Sequence, residues 1–380
     1  MAVVKGCAGG CGECPSCIAR HKHYMENTTW LERNAIWLAG VALILFLLAV
    51  TNLHCEPVKI SFVGDINFTD DVAQSIDQNG TTWPLDKIKP ILAKSDFRVA
   101  NLESPEGFGG AKYCPKTYYF KAKPKYLDVL KDAKFDLVSL ANNHCLDYGP
   151  SVILQTEKEL DARGIQHMGI LHNASEENKP VIVKIKGYTF GFLAYCNVCP
   201  EEFAAGTNTA GVSVGTYALV AKQIKQLRSK VDFVIVFPHW GTEYYAADKN
   251  QKKLAKIMLA AGADAVVGAH PHVLQQVYQP DPTHVIAYSM GNFLFPMHWQ
   301  VAEDSAILTL TFDKENGQNT MDVAWTDITL RGRRPLPVDP SHSVGEANIA
   351  LRDTYIIHTG YQYDNNRRWP SNPPWTTVEK

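Results

Sequence analysis

The stretch VKISFVGDIN, Val58–Asn67, decides the fold. Val58–Val63 is a short apolar run of the type that forms a strand buried on both faces. It ends in Gly64-Asp65-Ile66-Asn67, where the chemistry changes from packing to ligation. Four more runs repeat this change. Phe97–Ala100 leads into Asn101-Leu102-Glu103, and Phe135–Leu140 into Asn142-Asn143-His144. Phe233–Phe237 leads into His239-Trp240, and Ala265–Val267 into His270-Pro271-His272. In open α/β sheets, sites gather beyond the carboxyl ends of the strands, so these distant residues are expected to meet.

Taken singly, each residue has a plainer reading. Asp65 serves equally as a helix cap or turn former, and His239 as a hydrogen-bonded structural imidazole. Caps do not require a His-x-His with further His and acids at other strand ends, so the joint pattern reads as a metal site. Carboxylate, imidazole and amide donors without Cys suit Zn, Mn or Fe.

At 380 residues, 46% hydrophobic and 20% charged, the chain is globular and long enough for one large core or two smaller ones. A net charge of −2 with scattered Lys and Arg excludes an overall nucleic-acid footprint. Ala35–Leu53 carries no charge, and its nineteen residues nearly cross a hydrocarbon core of about 30 Å. It lies too far from the N-terminus, and lacks the small-x-small site, for a cleaved signal peptide. The expectation is one uncleaved transmembrane helix. Lys5, Arg20, Lys22 and Arg33 precede it, which places the N-terminus in the cytoplasm and the main domain outside the cell membrane.

Four of the nine cysteines, Cys7, Cys11, Cys14 and Cys17, precede that helix. They are open to zinc, cluster or acyl attachment, or belong to a reduced tail. Cys196-x-x-Cys199 is open to a tight disulfide or a redox pair. The chain divides into a Cys-rich segment (1–34), the anchor (35–54), a domain of alternating strands and helices (58–330) and a Pro- and aromatic-rich tail (331–380) expected to be extended or disordered. Helices are expected at Asp70–Gln78, Pro84–Ser95, Pro124–Ala133, Ser151–Arg163, Tyr217–Lys230 and Asn250–Ala261. The early βα rhythm implies parallel strands. Val181–Lys186, Thr189–Ala194, Val285–Ser289, Ala306–Phe312 and Asp322–Leu330 imply a second, mixed sheet packed on the first.

FVGDIN, VANLESP, LVSLANNHCLDYG, VFPHWGTEY, AGADAVVGAHPHVLQ and YSMGNFLF occur in an order and spacing that resemble the CapA/PgsA family of poly-γ-glutamate capsule biosynthesis. The resemblance spans roughly Lys59 to Leu330. It implies a metallophosphatase-like α/β/β/α sandwich of two mixed sheets, preceded here by the transmembrane helix. The calcineurin-like phosphoesterases that this family resembles have Asp-x-His as first motif and a bridging Asp in the second. Here Asn67 stands in the place of that His and Glu103 in the place of that Asp. The resemblance implies one metal on Asp65, Glu103 and His272, and another on Glu103, Asn143, His239 and His270. Asn67 is a weakened ligand, so one or two divalent ions are expected. His144 is implied as a general acid.

Pro271 fixes its own backbone and steers His270 from helical φ/ψ. Asp147 and Glu243 are candidates to orient imidazoles, or else a turn cap and a surface charge. Tyr195, Ser289 and Asn292 lie at other strand ends, where packing is the simpler account.

The function implied is a membrane-anchored accessory subunit of poly-γ-glutamate synthesis and export. Its domain outside the membrane would handle or process the polymer, beside an ATP-dependent ligase and a small polytopic subunit. The chain has no P-loop of its own. Two alternatives remain, an independent metal-dependent ectophosphoesterase and a non-catalytic export module.

Overall fold

The structure is a computed structural model that describes residues 55–296, 302–315, 317–330 and 334–338, with Ala19, Lys22, His23, Trp37 and Gly40 ahead of them. The Cys-rich segment, the anchor stretch and most of the tail lie outside the described residues. Among the described residues no helix is long and apolar enough to cross a membrane.

Two mixed sheets carry the domain. The larger runs, in spatial order, through β16 (Leu336–Pro337), β15 (Gln318–Thr329), β14 (Asp304–Glu315), β1 (Val58–Ile66), β2 (Phe97–Leu102), β3 (Leu137–Ser139) and β4 (Gln166–Met168), with β13 (Asn292–Leu294) also paired to β1. β1 to β4 are parallel, as the early rhythm implied, whereas β14 joins β1 antiparallel. The second sheet runs β11 (Val277–Asp281), β12 (His284–Ala287), β10 (Ala265–Val267), β9 (Phe233–His239), β7 (Tyr188–Cys196) and β6 (Val181–Ile185). Its four central strands are parallel and its two edges antiparallel. A two-stranded ribbon joins β5 (Ile170–Leu171) and β8 (Gly211–Val212).

The expected division of strands needs correction. β14 and β15, read as part of the second sheet, extend the first, because β14 pairs with β1 from Val58↔Phe312 to Phe62↔Leu308. The runs Phe233–Phe237 and Ala265–Val267, read with the first group, build the second. Period-two patterning gives a strand its faces but not its neighbour.

Helices α1 (Asp70–Asn79), α2 (Lys89–Leu92), α3 (Asp128–Asp132), α4 (Pro150–Asp161), α5 (Tyr217–Arg228) and α6 (Lys249–Ala261) connect the strands. The helix expected over Pro84–Ser95 is instead a 3-10 turn at Trp83–Leu85 followed by α2. Pro90 sits in the first turn of α2, where its missing N–H is tolerated, and it bars a helix running through from Pro84. Pro124–Ala133 likewise splits into a 3-10 turn at Pro124–Leu127 and α3.

β9 shows how the layers form. Val234 and Val236 turn toward α5 and α6 and pack with Ile224, Leu227, Leu254 and Met258. Phe233, on the opposite face, meets Phe312 of β14 at 5.1 Å between ring centroids, and Phe192 of β7 stacks on Phe97 of β2 at 5.5 Å. Aromatic pairs of this kind add about 0.5–1.5 kcal/mol beyond their area. They bring the two sheets face to face. The carboxyl ends of β1, β2, β9 and β10 thereby open onto one site.

Candidate metal centre

The acidic side of the site is set by register. Asp65 on β1 lies between Asn101 on β2 and Asn292 on β13. Gly64 permits this close pairing, since a Cβ there would lie 1.8 Å from the Gly291 carbonyl oxygen. Asn101 Nδ2 donates to Asp65 Oδ1 at 2.8 Å and lies 3.4 Å from Glu103 Oε2. Asp65 and Glu103 are both fully buried. Burial first, and then the charge of Asp65, hold the Glu103 carboxyl well above its ordinary range.

Facing them are three imidazoles. His270 and His272 have φ of 98° and 58°, left-handed values that L residues rarely adopt. Tyr244 N–H donates to the Pro271 carbonyl at 2.8 Å, and His270 N–H to Asp65 Oδ2 at 3.3 Å, so the strained loop is tied at both ends. His272 Nδ1 lies 2.9 Å from Asn292 Oδ1 and 3.4 Å from Asp65 Oδ2, and its Nε2 lies 3.8 Å from Glu103 Oε1. His239 Nε2 meets Asn143 Oδ1 at 2.9 Å, and its ring is 4.8 Å from that of His270.

Burial, then neighbouring imidazoles, press the His239 and His270 pKa values well below the usual, so both rings are neutral. His272 differs. Burial opposes its charge, yet Glu103 and Asp65 outweigh burial and push its pKa up to about 10. The acidic pair thus favours the charged form of His272 at a site otherwise lined by neutral imidazoles.

His144 stands at the edge of this group, with Nε2 3.9 Å from Glu103 Oε1. Its Nδ1 lies 2.7 Å from Asp147 Oδ2, and Phe120 packs on its ring at 4.1 Å. Lys116 Nζ reaches both Asp147 Oδ1 and the Asn143 carbonyl at 2.5 Å. Burial lowers the His144 pKa to about 4, so the ring is neutral near pH 7. With Nδ1–H given to the carboxylate, Nε2 faces the site bare. His144 therefore takes a proton at Nε2 before it can give one as an acid.

Asp65, Glu103 and His272 bring one donor atom each to within 4.8 Å of one another, as the first implied ligand group requires. Asn143, His239 and His270 adjoin one another, while Glu103 Oε1 lies between His144 and His272. Asp147 holds an imidazole. Glu243 is exposed, but its carboxylate forms a second close donor group with His270 and His272. Asn67 directs its Oδ1 to Thr69 N–H at 3.0 Å, and only the second lone pair of that oxygen remains to ligate. Tyr195 points away, donating to Gln223 on α5 at 2.7 Å, and Ser289 donates to the Val273 carbonyl. Asn292 holds His272 rather than merely packing. Sequence reading missed Lys116 and the positioning amides Asn101 and Asn142, the latter donating Nδ2 to the Leu102 carbonyl at 2.8 Å and accepting from His144 N–H at 3.1 Å. The two Asn residues stand inside the quoted motifs, whereas Lys116 lies in an irregular loop without periodic signal. The described cysteines, Cys196 and Cys199 included, are free thiols.

Four buried polar atoms around the centre have no hydrogen-bond partner: Glu103 Oε1, His239 Nδ1, His270 Nδ1 and Asn67 Nδ2. Buried polar atoms are normally paired. The first three carry lone pairs, so this donor set fits a divalent cation.

Residues 59–297 match the family model described as Bacterial capsule synthesis protein PGA_cap. The chain is 33% identical to the PGA biosynthesis protein CapA of Bacillus subtilis (strain 168), over 74% of each chain. It is 30% identical to the capsule biosynthesis protein CapA of Bacillus anthracis, over 74% of this chain and 70% of that one. Among solved structures, it superimposes on the calcineurin-like phosphoesterase YfkN from Bacillus subtilis with a TM-score of 0.46 and 14% identity, covering 74% of this chain and 94% of that one. The family match and these relatives establish that the chain belongs to the bacterial capsule synthesis protein family, PGA_cap.

Proposed function

We propose that this chain is an accessory subunit of poly-γ-glutamate capsule synthesis whose metal-dependent site processes the polymer. One observation carries the reading: in a member of this family, Asp65, Glu103 and His272 converge with unpartnered, lone-pair-bearing atoms of Glu103, His239 and His270. Asp65, Glu103 and His272 would hold one ion, and Glu103, Asn143, His239 and His270 a second, with Glu243 at its exposed side. Asn67 contributes at most a weak oxygen. When bound, such ions lower the pKa of water toward neutrality and neutralise charge on the attacked group. Asn101 and Asn292 orient the first ligands. The Asp147–His144 pair presents a bare Nε2 that accepts a proton at the site.

Ala35–Leu53 would anchor the chain with its N-terminus cytoplasmic and the domain outside. There it would meet the polymer leaving an ATP-dependent ligase and a small polytopic subunit. The naming of relatives for capsule biosynthesis supports the accessory role in making the polymer.

The test is the chain length of purified poly-γ-glutamate after incubation with the Mn-loaded protein. Shortening that needs metal and is lost in H270A/H272A supports the reading. Unchanged length with a metal-loaded protein removes the processing step.

A further inference from the structure

Residues 107–127 contain five lysines, Lys112, Lys116, Lys121, Lys123 and Lys125, and no Asp or Glu, in a chain whose net charge is −2. This segment is fixed against the metal centre. Phe120 N–H donates to Asp147 Oδ2 at 2.7 Å, Tyr113 N–H to the Asp147 carbonyl at 3.0 Å, and the Phe120 ring covers His144. Two lysines are already paired: Lys116 with Asp147, and Lys125 with Asp77 at 2.5 Å. No ion pair ties Lys112, Lys121 or Lys123 to a carboxylate among the described residues.

Two of these ammonium groups are nonetheless placed. Lys112 Nζ lies 4.2 Å from the Tyr119 ring centroid and Lys121 Nζ 3.9 Å from that of Tyr148, and those two rings meet edge to face at 6.3 Å. Lys121 is further held by the Gly109 carbonyl at 2.6 Å. Cation–π contacts fix direction without neutralising charge. Lys123 is exposed, and Tyr118 beside them is 66% exposed. Lys112 and Lys121 are thus preset with aromatic surface between them, on the segment whose Phe120 covers His144, and Lys123 follows two residues beyond Lys121 to complete a cationic strip.

We propose that this strip, built on Lys112, Lys121 and Lys123, is where a polycarboxylate lies as it approaches the metal centre. A γ-linked glutamate chain is the occupant, since it bears one free carboxylate per residue and matches a row of separate point charges. This assignment of a binding surface rests on the reading of the site given above. Phosphate polymers and lipid headgroups carry the same sign of charge, and the competition arms below separate them from the polymer.

The experiment is fluorescence anisotropy of a labelled poly-γ-glutamate fragment with the full chain in detergent, at low and at physiological salt. Wild type is expected to bind, and more weakly as salt rises. K112Q/K121Q/K123Q is expected to weaken binding about tenfold, and K112Q/K123Q, which alters exposed residues alone, by less. Adding K112Q/K121Q/K123Q to H270A/H272A should weaken its binding by about the same factor as in wild type, because the strip lies outside the ligand set. Equal binding by wild type and both lysine variants overturns the proposal. So does a DNA duplex or an anionic vesicle that binds more tightly than the polymer and loses the same affinity in the triple variant. Failure here leaves metal-dependent shortening unaffected, and loss of shortening in H270A/H272A that keeps the lysine-dependent share of binding separates the two readings.

Discussion

Asn143 Oδ1 and His239 Nε2 meet at 2.9 Å across 96 positions of sequence, one beyond the end of β3 in the first sheet and the other at the end of β9 in the second. This contact places side chains from both sheets in one centre, and it leaves His239 Nδ1 buried without a partner. Both sheets must therefore be in place for the site to exist.

Metal should stabilise the fold. A divalent ion that binds only the folded chain, at about a hundred times its Kd, adds about 2.7 kcal/mol. Thermal melts with Mn or Zn should rise, a chelator should reverse the rise, and H270A should flatten the response. An identical metal response in H270A would remove His270 from the ligand set.

Asn67 is a point where the amide can be tested directly. Its Oδ1 is taken by Thr69 N–H, while its Nδ2 is a buried orphan. Asn67→Asp puts a second oxygen at that position and adds a buried charge two residues from Asp65. Without metal this should cost about 1–3 kcal/mol in denaturant unfolding. With Mn present the loss should shrink, because the new carboxylate has a cation to face. A loss independent of metal would mean that Asn67 is structural alone.

Lys116 is expected to be a positioning residue. Its ammonium is the half-buried cationic partner of a fully buried Asp147. Lys116→Met strands that carboxylate and should cost about 3 kcal/mol of stability. It should also shift the His144 resonance in NMR spectra, which simple loss of surface charge would not do.

How much of this was legible in the sequence differs by scale. β1, β2 and β9 could be read directly, because continuous apolar runs have few other uses in a chain with both faces of its sheets covered. Their polar ends named the site for the same reason. Sheet membership was not legible, since nothing local tells β14 to pair with β1 rather than β12. Pro90 stands in plain view, yet whether a proline starts a new helix or kinks a longer one depends on packing, and here it starts α2. Lys116 acts from an irregular loop, and its role exists only after Asp147 is folded beneath it. The left-handed His270 was half visible: Pro271 excluded helix there, but the positive φ follows from the tertiary ties at Asp65 and Tyr244.

Glu106 gives a pH signature apart from the ligands. It is fully buried, accepts from Ser104 Oγ at 2.6 Å, and burial pushes its pKa up to about 8 against 4.5 for the free side chain. Between these values the folded state keeps a proton that the unfolded state has released, so this residue makes stability fall as pH rises from 4.5 to 8. Glu106→Gln should remove that slope. The variant should match wild type near pH 4 and exceed it by about 1–3 kcal/mol at pH 8 in chemical denaturation. Equal slopes in the two proteins would place the ionisation elsewhere.

The most direct test of the central claim is cell-surface poly-γ-glutamate, measured in cells that co-express this chain with the ligase and polytopic subunits. Wild type, H270A/H272A and cells lacking the chain should be compared at matched expression. Full output with wild type, and output in H270A/H272A as low as without the chain, is the predicted result. Output that is unchanged when the chain is absent, or fully retained in H270A/H272A, would contradict a role for this metal centre in making the capsule polymer.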